Sequence, residues 1–495
     1  MIKIHVSRFN PETDKEPHFE TYEIEKTPQM KVLDALNEIN RKYDADISFR
    51  SSCRAGQCGS CGLQVRGNGA LACKKEIKDG MVIEPLDLPV IKDLVVDRSD
   101  IENKVKDLNL FIDTKEKEKT EFETNLKNSD LQDTKKLRSC IECYSCLSTC
   151  PVVKNFKDEY SGPYLMRYLS KFGFDPRDKN DRLKDSVSEG LYDCTSCGKC
   201  LAVCPKNINT FGDAIEKFRA LAYKEDLDPY DAHKKMKDQI VTTGRSVSPE
   251  KEGFIETYNE SKKETKSKVA LFTGCMLDYR FQNVGNDLID VLKANNIEID
   301  VPEGQVCCGS PLLRTGQTDA VQKLVDINKE VFKDYDTVIT VCAGCGATLK
   351  NNHPEFGSTL NVQDISEFLI DKLDTSKMKP LDITVTWHDP CHLGRGQSIK
   401  DQPREIIEMI PGVKFVEMEH PCKCCGAGGG VKSARPEIAL SLARDKAKMI
   451  EETGAEAVIS ICPFCQYNLQ DGLNAEGLNH IKVMNLIELL KMTYE

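Results

Sequence analysis

Apolar and polar side chains alternate with a period of two at the start of the chain, which predicts strands over residues 2–9 and 18–25. A helix-like stretch follows near residues 30–42, then a loop rich in Gly and Cys from Ser51 to Gly62, then a strand-like LQV. This order predicts a small β-rich domain ending near residue 100. From residue 139 to about 230 the apolar spacing becomes helical. After residue 268 an internal repeat begins. KVALFTGC and ITVTWHDPC each read as a buried strand ending in Cys, and TVITVCAGC and AVISICPFC do the same later in each half. Helical stretches such as TDAVQKLVDINKEVF and PEIALSLARDKAKMIEE lie between them. Strand–helix alternation predicts a parallel α/β sheet in each half. Functional groups gather at the carboxyl ends of such strands, where four of the cysteines fall.

Two segments interrupt the pattern. Asp113 to Arg138 is dense in Lys, Glu and Asp and reads as a solvated helical connection. Ser248 to Lys268, ending in ESKKETKSK, has the composition of a linker. With 495 residues the chain has room for several domains. The expected boundaries are 1–100, 101–230, a linker over 231–267, then 268–378 and 379–495.

Composition narrows the function. A net charge of −11 argues against a nucleic-acid partner, because phosphate binding needs a basic face. MIKIHVSRF lacks the apolar core of a signal peptide, and no window reaches the ~18 to 20 apolar residues of a membrane span. A cytoplasmic location is expected, where thiols stay reduced and clustered cysteines bind metal. The odd total of 23 cysteines and the adjacent pairs Cys307-Cys308 and Cys424-Cys425 weigh further against a disulfide scaffold.

The cysteines fall into five groups, with only Cys422 outside them. Cys53, Cys58, Cys61 and Cys73 have the plant-type 2Fe–2S spacing, with small residues between (Ala55, Gly56, Gly59, Ser60) that let backbone N–H groups approach the sulfurs. Cys140, Cys143, Cys146 and Cys150-Pro151 form the bacterial ferredoxin run, and Cys194, Cys197, Cys200 and Cys204-Pro205 repeat it. The fourth Cys of each such run serves the other cluster, so the expected 4Fe–4S sets are Cys140, Cys143, Cys146 with Cys204, and Cys194, Cys197, Cys200 with Cys150. Structural zinc is the alternative at each site.

SSCRAGQCGSCGLQVRGNGALAC followed by the paired Cys runs resembles the iron–sulfur subunit of succinate dehydrogenase and fumarate reductase, over about the first 230 residues. The resemblance implies a β-grasp 2Fe–2S domain, then an α-helical ferredoxin domain, docked on a flavoprotein that carries the dicarboxylate site. Many members of that family lack a cysteine at the position of Cys197 and hold a 3Fe–4S cluster beside their quinone site. The full set here implies 4Fe–4S and puts quinone chemistry in doubt.

Cys275, Cys307, Cys308, Cys342 and Cys345 form one five-cysteine group; Cys391, Cys424, Cys425, Cys462 and Cys465 repeat its layout. Both resemble the CCG domains of heterodisulfide reductase, over residues 268 to 495. That resemblance implies two non-cubane 4Fe–4S clusters, each with five cysteinyl ligands, which act on the disulfide joining coenzyme M and coenzyme B. These ten cysteines are the expected catalytic set. A bridging thiolate on a distorted cluster frees an iron to take a substrate sulfur. CCG repeats also occur in other oxidoreductases, and one repeat could hold zinc instead. His388 and His392 flank Cys391, and His420 precedes Cys422; each reads either as a proton donor or as a structural histidine. Gly426 to Gly430 follows a Cys pair rather than a strand, so it reads as backbone close to a cluster and not as a dinucleotide loop.

No flavin or nicotinamide fingerprint appears, yet dicarboxylate reduction needs a two-electron carrier, so a flavoprotein partner is expected to hold the flavin. The succinate dehydrogenase-type front and heterodisulfide-type back together resemble the thiol:fumarate reductases of methanogenic archaea. That resemblance implies oxidation of coenzyme M and coenzyme B thiols at the CCG clusters. Electrons would then run through the 4Fe–4S and 2Fe–2S clusters to a flavoprotein that reduces fumarate to succinate. A membrane-docked component of a succinate or fumarate:quinone oxidoreductase, and a pure electron-transfer protein, are the other readings.

Overall fold

The alternation at the amino end places Ile4 and Val6 inward on strand β1 (Ile2–Arg8), which pairs antiparallel with β2 (His18–Ile24), Ile4 opposite Tyr22. Helix α1 (Val32–Tyr43) buries Val32, Leu33, Ala35, Leu36 and Ile39 on one stripe and ends at Asp44 in the left-handed region. Strands β3 (Gly62–Val65), β4 (Asn68–Leu71) and β5 (Met81–Glu84) complete a five-stranded mixed sheet in the order β2-β1-β5-β3-β4. Cys61 and Cys73, on either side of the β3–β4 hairpin, reach the core that this sheet shares with α1.

The computed structural model describes residues 1–113, 126–249, 251–261 and 267–494. Much of the charged connection expected between Asp113 and Arg138 lies outside the described residues, as does part of the ESKKETKSK run. Contacts divide the chain into two units, Met1–Cys194 with Gly198–Ala222 and Thr195–Cys197 with Tyr223–Glu495.

In the first unit the sheet domain is followed by short helices, among them Ser145–Ser148, Pro151–Phe156 and the amphipathic Gly162–Gly173. Pro151 starts its helix because a proline lacks only an N–H that the first turn would leave unpaired. Gly62 and Gly69 lie so close to backbone that a Cβ would meet Cys143 O at 2.5 Å and Ser145 O at 2.6 Å. The first metal loop and the helical run therefore fit together at main-chain distance.

In the second unit a three-stranded parallel sheet, Val362–Asp364, Thr337–Thr340 and Val269–Phe272, belongs to the first repeat. A four-stranded parallel sheet belongs to the second, ordered Val413–Phe415, Ile383–Trp387, Ala457–Ser460, Lys482–Asn485. Leu271, Ile339 and Val341 share one apolar core with Val385, Trp387, Val458 and Ile459, so the repeats fold against each other. Residues 231–267, expected as a linker, hold helices Asp231–Thr243 and Phe254–Ser261. Each is anchored: His233 and Ile240 are buried from the first, and Phe254 from the second.

Candidate metal centres

The sharp turn at Gly56 and Gly59, both at positive φ, aims main-chain N–H groups inward. Ala55 and Gln57 N–H point to Cys53 Sγ at 3.4 and 3.3 Å, and Cys53 N–H points to Cys58 Sγ at 3.5 Å. Hydrogen bonds from the Cys53 and Ser60 backbone bring the Cys58 thiol down to about 6, so thiolate is favoured there. Cys61 sits inside the core and burial pushes its thiol up to about 11.

Among the helices of the first unit, Cys140, Cys143, Cys146 and Cys204 line one cavity. Burial raises the Cys143 and Cys146 thiols, and the neighbouring sulfurs add to it. Cys204 therefore stands with the first run although it is 54 residues beyond Cys150. Cys150, Cys194 and Cys200 gather instead around the buried Tyr160 hydroxyl. Glu142, Tyr144 and Ser196 take left-handed backbone, as tight wrapping around these groups demands.

Cys197 belongs to the second unit, where its sulfur contacts Cys424. Thr195 Oγ1 lies 3.6 Å from the same Cys424 Sγ. Three further contacts hold this segment. His392 Nε2 meets Ser196 O at 3.3 Å, Arg395 Nε donates to Cys197 O at 2.7 Å, and a Cβ on Gly428 would strike Thr195 O at 2.6 Å.

The ten cysteines of the repeats follow one construction. Cys275 and Cys391 begin short helices just after strands Val269–Phe272 and Ile383–Trp387. Cys342 and Cys462 cap helices Ala343–Asn351 and Pro463–Ala475, placing Cys345 and Cys465 in the first turn, where contacts with Cys308 and Cys342, and with Cys425 and Cys462, together with burial push both thiols up. Each CCG glycine folds back on its own cysteine: Gly309 N–H reaches Cys307 Sγ at 3.4 Å and Gly426 N–H reaches Cys424 Sγ at 3.3 Å. Both glycines have positive φ, and a Cβ at Gly426 would meet Ala439 O at 2.6 Å. Only glycine fits that turn.

The sulfurs touch in sequence. Cys275 contacts Cys307, which contacts Cys308; Cys308 contacts Cys345, and Cys345 contacts Cys342. Cys342 contacts Cys462 of the other repeat, Cys462 contacts Cys465, and Cys465 contacts Cys425. Cys424 joins Cys425, Cys391 and Cys197. A cavity of about 610 Å³ opens on all ten, with Arg280, Arg314 and Lys432 also on its wall. Eight of the ten are buried. This density of soft, buried donors fits sulfur-bound iron, and neither histidines nor carboxylates outnumber thiols anywhere on the wall.

Several contributors carry no motif. Arg395 donates from Nη2 to Cys391 Sγ at 2.8 Å and from Nη1 to Cys422 O at 2.7 Å. Its place four residues after Cys391, one helical turn on, is the only signal in the sequence. The carbonyl of Cys422 thus helps hold the second repeat, although its thiol falls outside the groups. His353 Nε2 meets Cys308 O at 2.9 Å, and Ser246 N–H meets Cys275 Sγ at 3.3 Å. The His420 carbonyl accepts from the buried Lys446 Nζ at 2.7 Å. Among the described residues no helix is long and apolar enough to cross a membrane.

Family models match the chain in the order read from its cysteines. A 2Fe-2S iron-sulfur cluster binding domain covers residues 3–103 and a 4Fe-4S dicluster domain residues 136–208. A cysteine-rich domain matches twice, over residues 269–350 and 385–470. A fumarate reductase (CoM/CoB) subunit from Methanothermobacter marburgensis is 56% identical over 494 residues, covering 100% of this chain and 99% of its own. A dihydromethanophenazine:CoB–CoM heterodisulfide reductase subunit from Methanosarcina barkeri is 32% identical over 398 residues, covering 74% of this chain and 95% of its own. A hypothetical protein from Helicobacter pylori of known structure shares the fold, with a TM-score of 0.65 at 13% identity, over 100% of this chain and 94% of that one.

Proposed function

The chain belongs to the family of the iron–sulfur subunit of fumarate reductase (CoM/CoB), and from that membership we propose that it oxidises coenzyme M and coenzyme B thiols to their heterodisulfide and delivers the electrons to a flavoprotein partner. The reaction balances. Two thiols lose two electrons and two protons as one S–S bond forms, and fumarate takes up two electrons and two protons to become succinate on the partner. When bound, iron–sulfur clusters supply one-electron relay and iron that accepts substrate sulfur.

The observation that carries this reading is the meeting of the two five-cysteine sets at Cys342 and Cys462 on one cavity. Two thiols that must become one disulfide need adjacent sites, and the wall provides a pair related by repeat. Its volume falls in the range of about 300–1,000 Å³ typical of small-molecule sites. Arg280, Arg314 and Lys432 favour thiols that carry negative groups. Gly309, Gly426 and Arg395 aim N–H donors at the sulfurs of Cys307, Cys424 and Cys391.

The finer assignments belong to the same proposal. The first domain is a β-grasp ferredoxin over 1–100, and the α-helical ferredoxin spans 101–230. The two α/β CCG domains span 268–378 and 379–495. Cys53, Cys58, Cys61 and Cys73 hold 2Fe–2S. Cys140, Cys143, Cys146 and Cys204 hold one 4Fe–4S cluster, and Cys194, Cys197, Cys200 and Cys150 the other. The two five-cysteine sets hold non-cubane clusters. The proposed setting is cytoplasmic.

The test is an anaerobic assay of the purified complex with fumarate as acceptor. Coenzyme thiols as donors should sustain turnover and a quinol should not. Turnover with quinol alone would move the protein to quinone chemistry. Turnover with neither, while an artificial donor works, would leave the repeats as relay without a substrate.

A further inference from the structure

Lys446, in helix Pro436–Glu451 of the second repeat, is fully buried, an unusual place for an ammonium group. Its Nζ donates to His420 O at 2.7 Å and to Pro421 O at 2.9 Å, carbonyls just ahead of the Cys424-Cys425 pair. Among the described residues no carboxylate forms an ion pair with it. Burial pulls the ammonium down to about 8, and Cys422, Asp389, Cys425 and Cys391 are the negative groups that hold it up. Asp389 is already answered, because Arg404 Nη1 and Nη2 reach its two oxygens at 3.0 Å each. Sulfur is left as the source of balancing charge.

The first repeat does the same mechanical task without a cation. Asn328, fully buried in helix Val321–Phe332, accepts from Val306 N–H at 2.9 Å and donates to Cys307 O at 3.2 Å. A neutral amide thus holds the chain beside one cysteine pair, so holding the other does not call for a charge. A charge in a protein interior is costly unless an opposite charge answers it. Cys422 offers a single thiol outside the set, whereas five metal-bound cysteines are thiolates outright.

We propose that Lys446 is the buried counter-cation of the metal centre in the second repeat and sets its reduction potential above what the five cysteines alone would give. The ligands remain those five cysteines, and the lysine acts on them through its field. Reduction adds one electron and one negative charge to the centre. A fixed positive charge favours that state with no bond made or broken and no proton taken up. This inference rests on the proposal that the second repeat holds iron.

Lys446→Gln keeps an N–H donor for the two carbonyls and removes the charge, while Lys446→Arg keeps the charge. An EPR-monitored redox titration of the intact complex follows the signal that Cys465→Ser removes. Glutamine should shift the one-electron equilibrium toward the oxidised state by about tenfold, which is about 59 mV, and arginine by less than about twofold. Lys446→Met takes the place of the glutamine variant if that protein does not accumulate. An unchanged potential in the neutral variant, an equal shift in the arginine variant, or a shift shared by the 2Fe–2S signal overturns the assignment while leaving the function proposal intact. Absence of iron from the second repeat of the wild type overturns both.

Discussion

Arg395 Nη2 lies 2.8 Å from Cys391 Sγ, and the same guanidinium holds the carbonyls of Cys197 and Cys422. One planar fork with five N–H donors thus ties three cysteines from separate stretches of chain. Its own charge is strongly favoured by the sulfurs around it in spite of burial.

Arg395→Ala leaves two carbonyls and a sulfur without their donor. Each buried acceptor left unmet costs about 1–3 kcal/mol, so a loss of about 3 kcal/mol is expected. Arg395→Lys restores the charge but not the three-way geometry and should recover under half of it. Thermal unfolding and iron content of the two variants check this. An alanine variant as stable as wild type, with full iron, would remove the clamp from the account.

Cys345→Ser and Cys465→Ser each take one first-turn thiol from a repeat. Both should abolish thiol oxidation, while fumarate reduction from an artificial donor stays within about twofold of wild type. Survival of thiol-dependent turnover in either variant would end the assignment of both repeats to thiol chemistry.

Gly59 sits at φ +70, and a Cβ there would meet Ile141 O at 2.1 Å. Gly59→Ala therefore has to shift either the first metal loop or the start of the helical run. The strained backbone alone costs about 1–3 kcal/mol. The visible absorption of the 2Fe–2S site should fall relative to protein, and an unchanged spectrum with unchanged stability would refute the close fit.

Asp364 caps helix Ile365–Leu369, accepting from Ser366 N–H at 2.9 Å and Ser366 Oγ at 2.6 Å. Burial pushes its carboxyl up to about 6, against an ordinary value of 3.8. A raised carboxyl binds its proton more tightly folded than unfolded. Its contribution to stability is complete below about pH 4 and is lost as pH rises through about 6. Asp364→Asn keeps a capping oxygen and removes that loss. Relative to wild type, the variant should gain about 2 kcal/mol as pH rises from 4 to 8, from a shift near two pK units at about 1.4 kcal/mol each, discounted for relaxation. Parallel unfolding curves at the two pH values would contradict it.

Spacing makes the five cysteine groups, the domain order and the strand-end positions of Cys275, Cys342, Cys391 and Cys462 legible, because each depends on neighbours within a few residues. The repeat is equally plain, since two copies of one pattern share a period. Contacts between distant segments are hidden. Nothing near Cys197 in sequence points to Cys424, and Arg395 carries no motif. Residues 231–267 mislead by composition: the charged faces of helix Asp231–Thr243 outnumber the buried His233 and Ile240, yet His233 holds Asp228 at 2.9 Å and Gly430 O at 3.3 Å. His388 shows the same limit. Its residue type is readable beside Cys391, but its lack of a well-aligned partner is a property of the packed interior.

The unbroken file of sulfurs from Cys275 to Cys424 bears on how the protein must be made. Thiols that touch one another before iron arrives are thiols that an oxidant can join in pairs, and a joined pair no longer binds metal. Because the file crosses from one repeat to the other at Cys342 and Cys462, a single wrong pairing there disables both halves together. The newly folded chain therefore has to be loaded before it meets oxygen, and damage at that one crossing is shared by two centres.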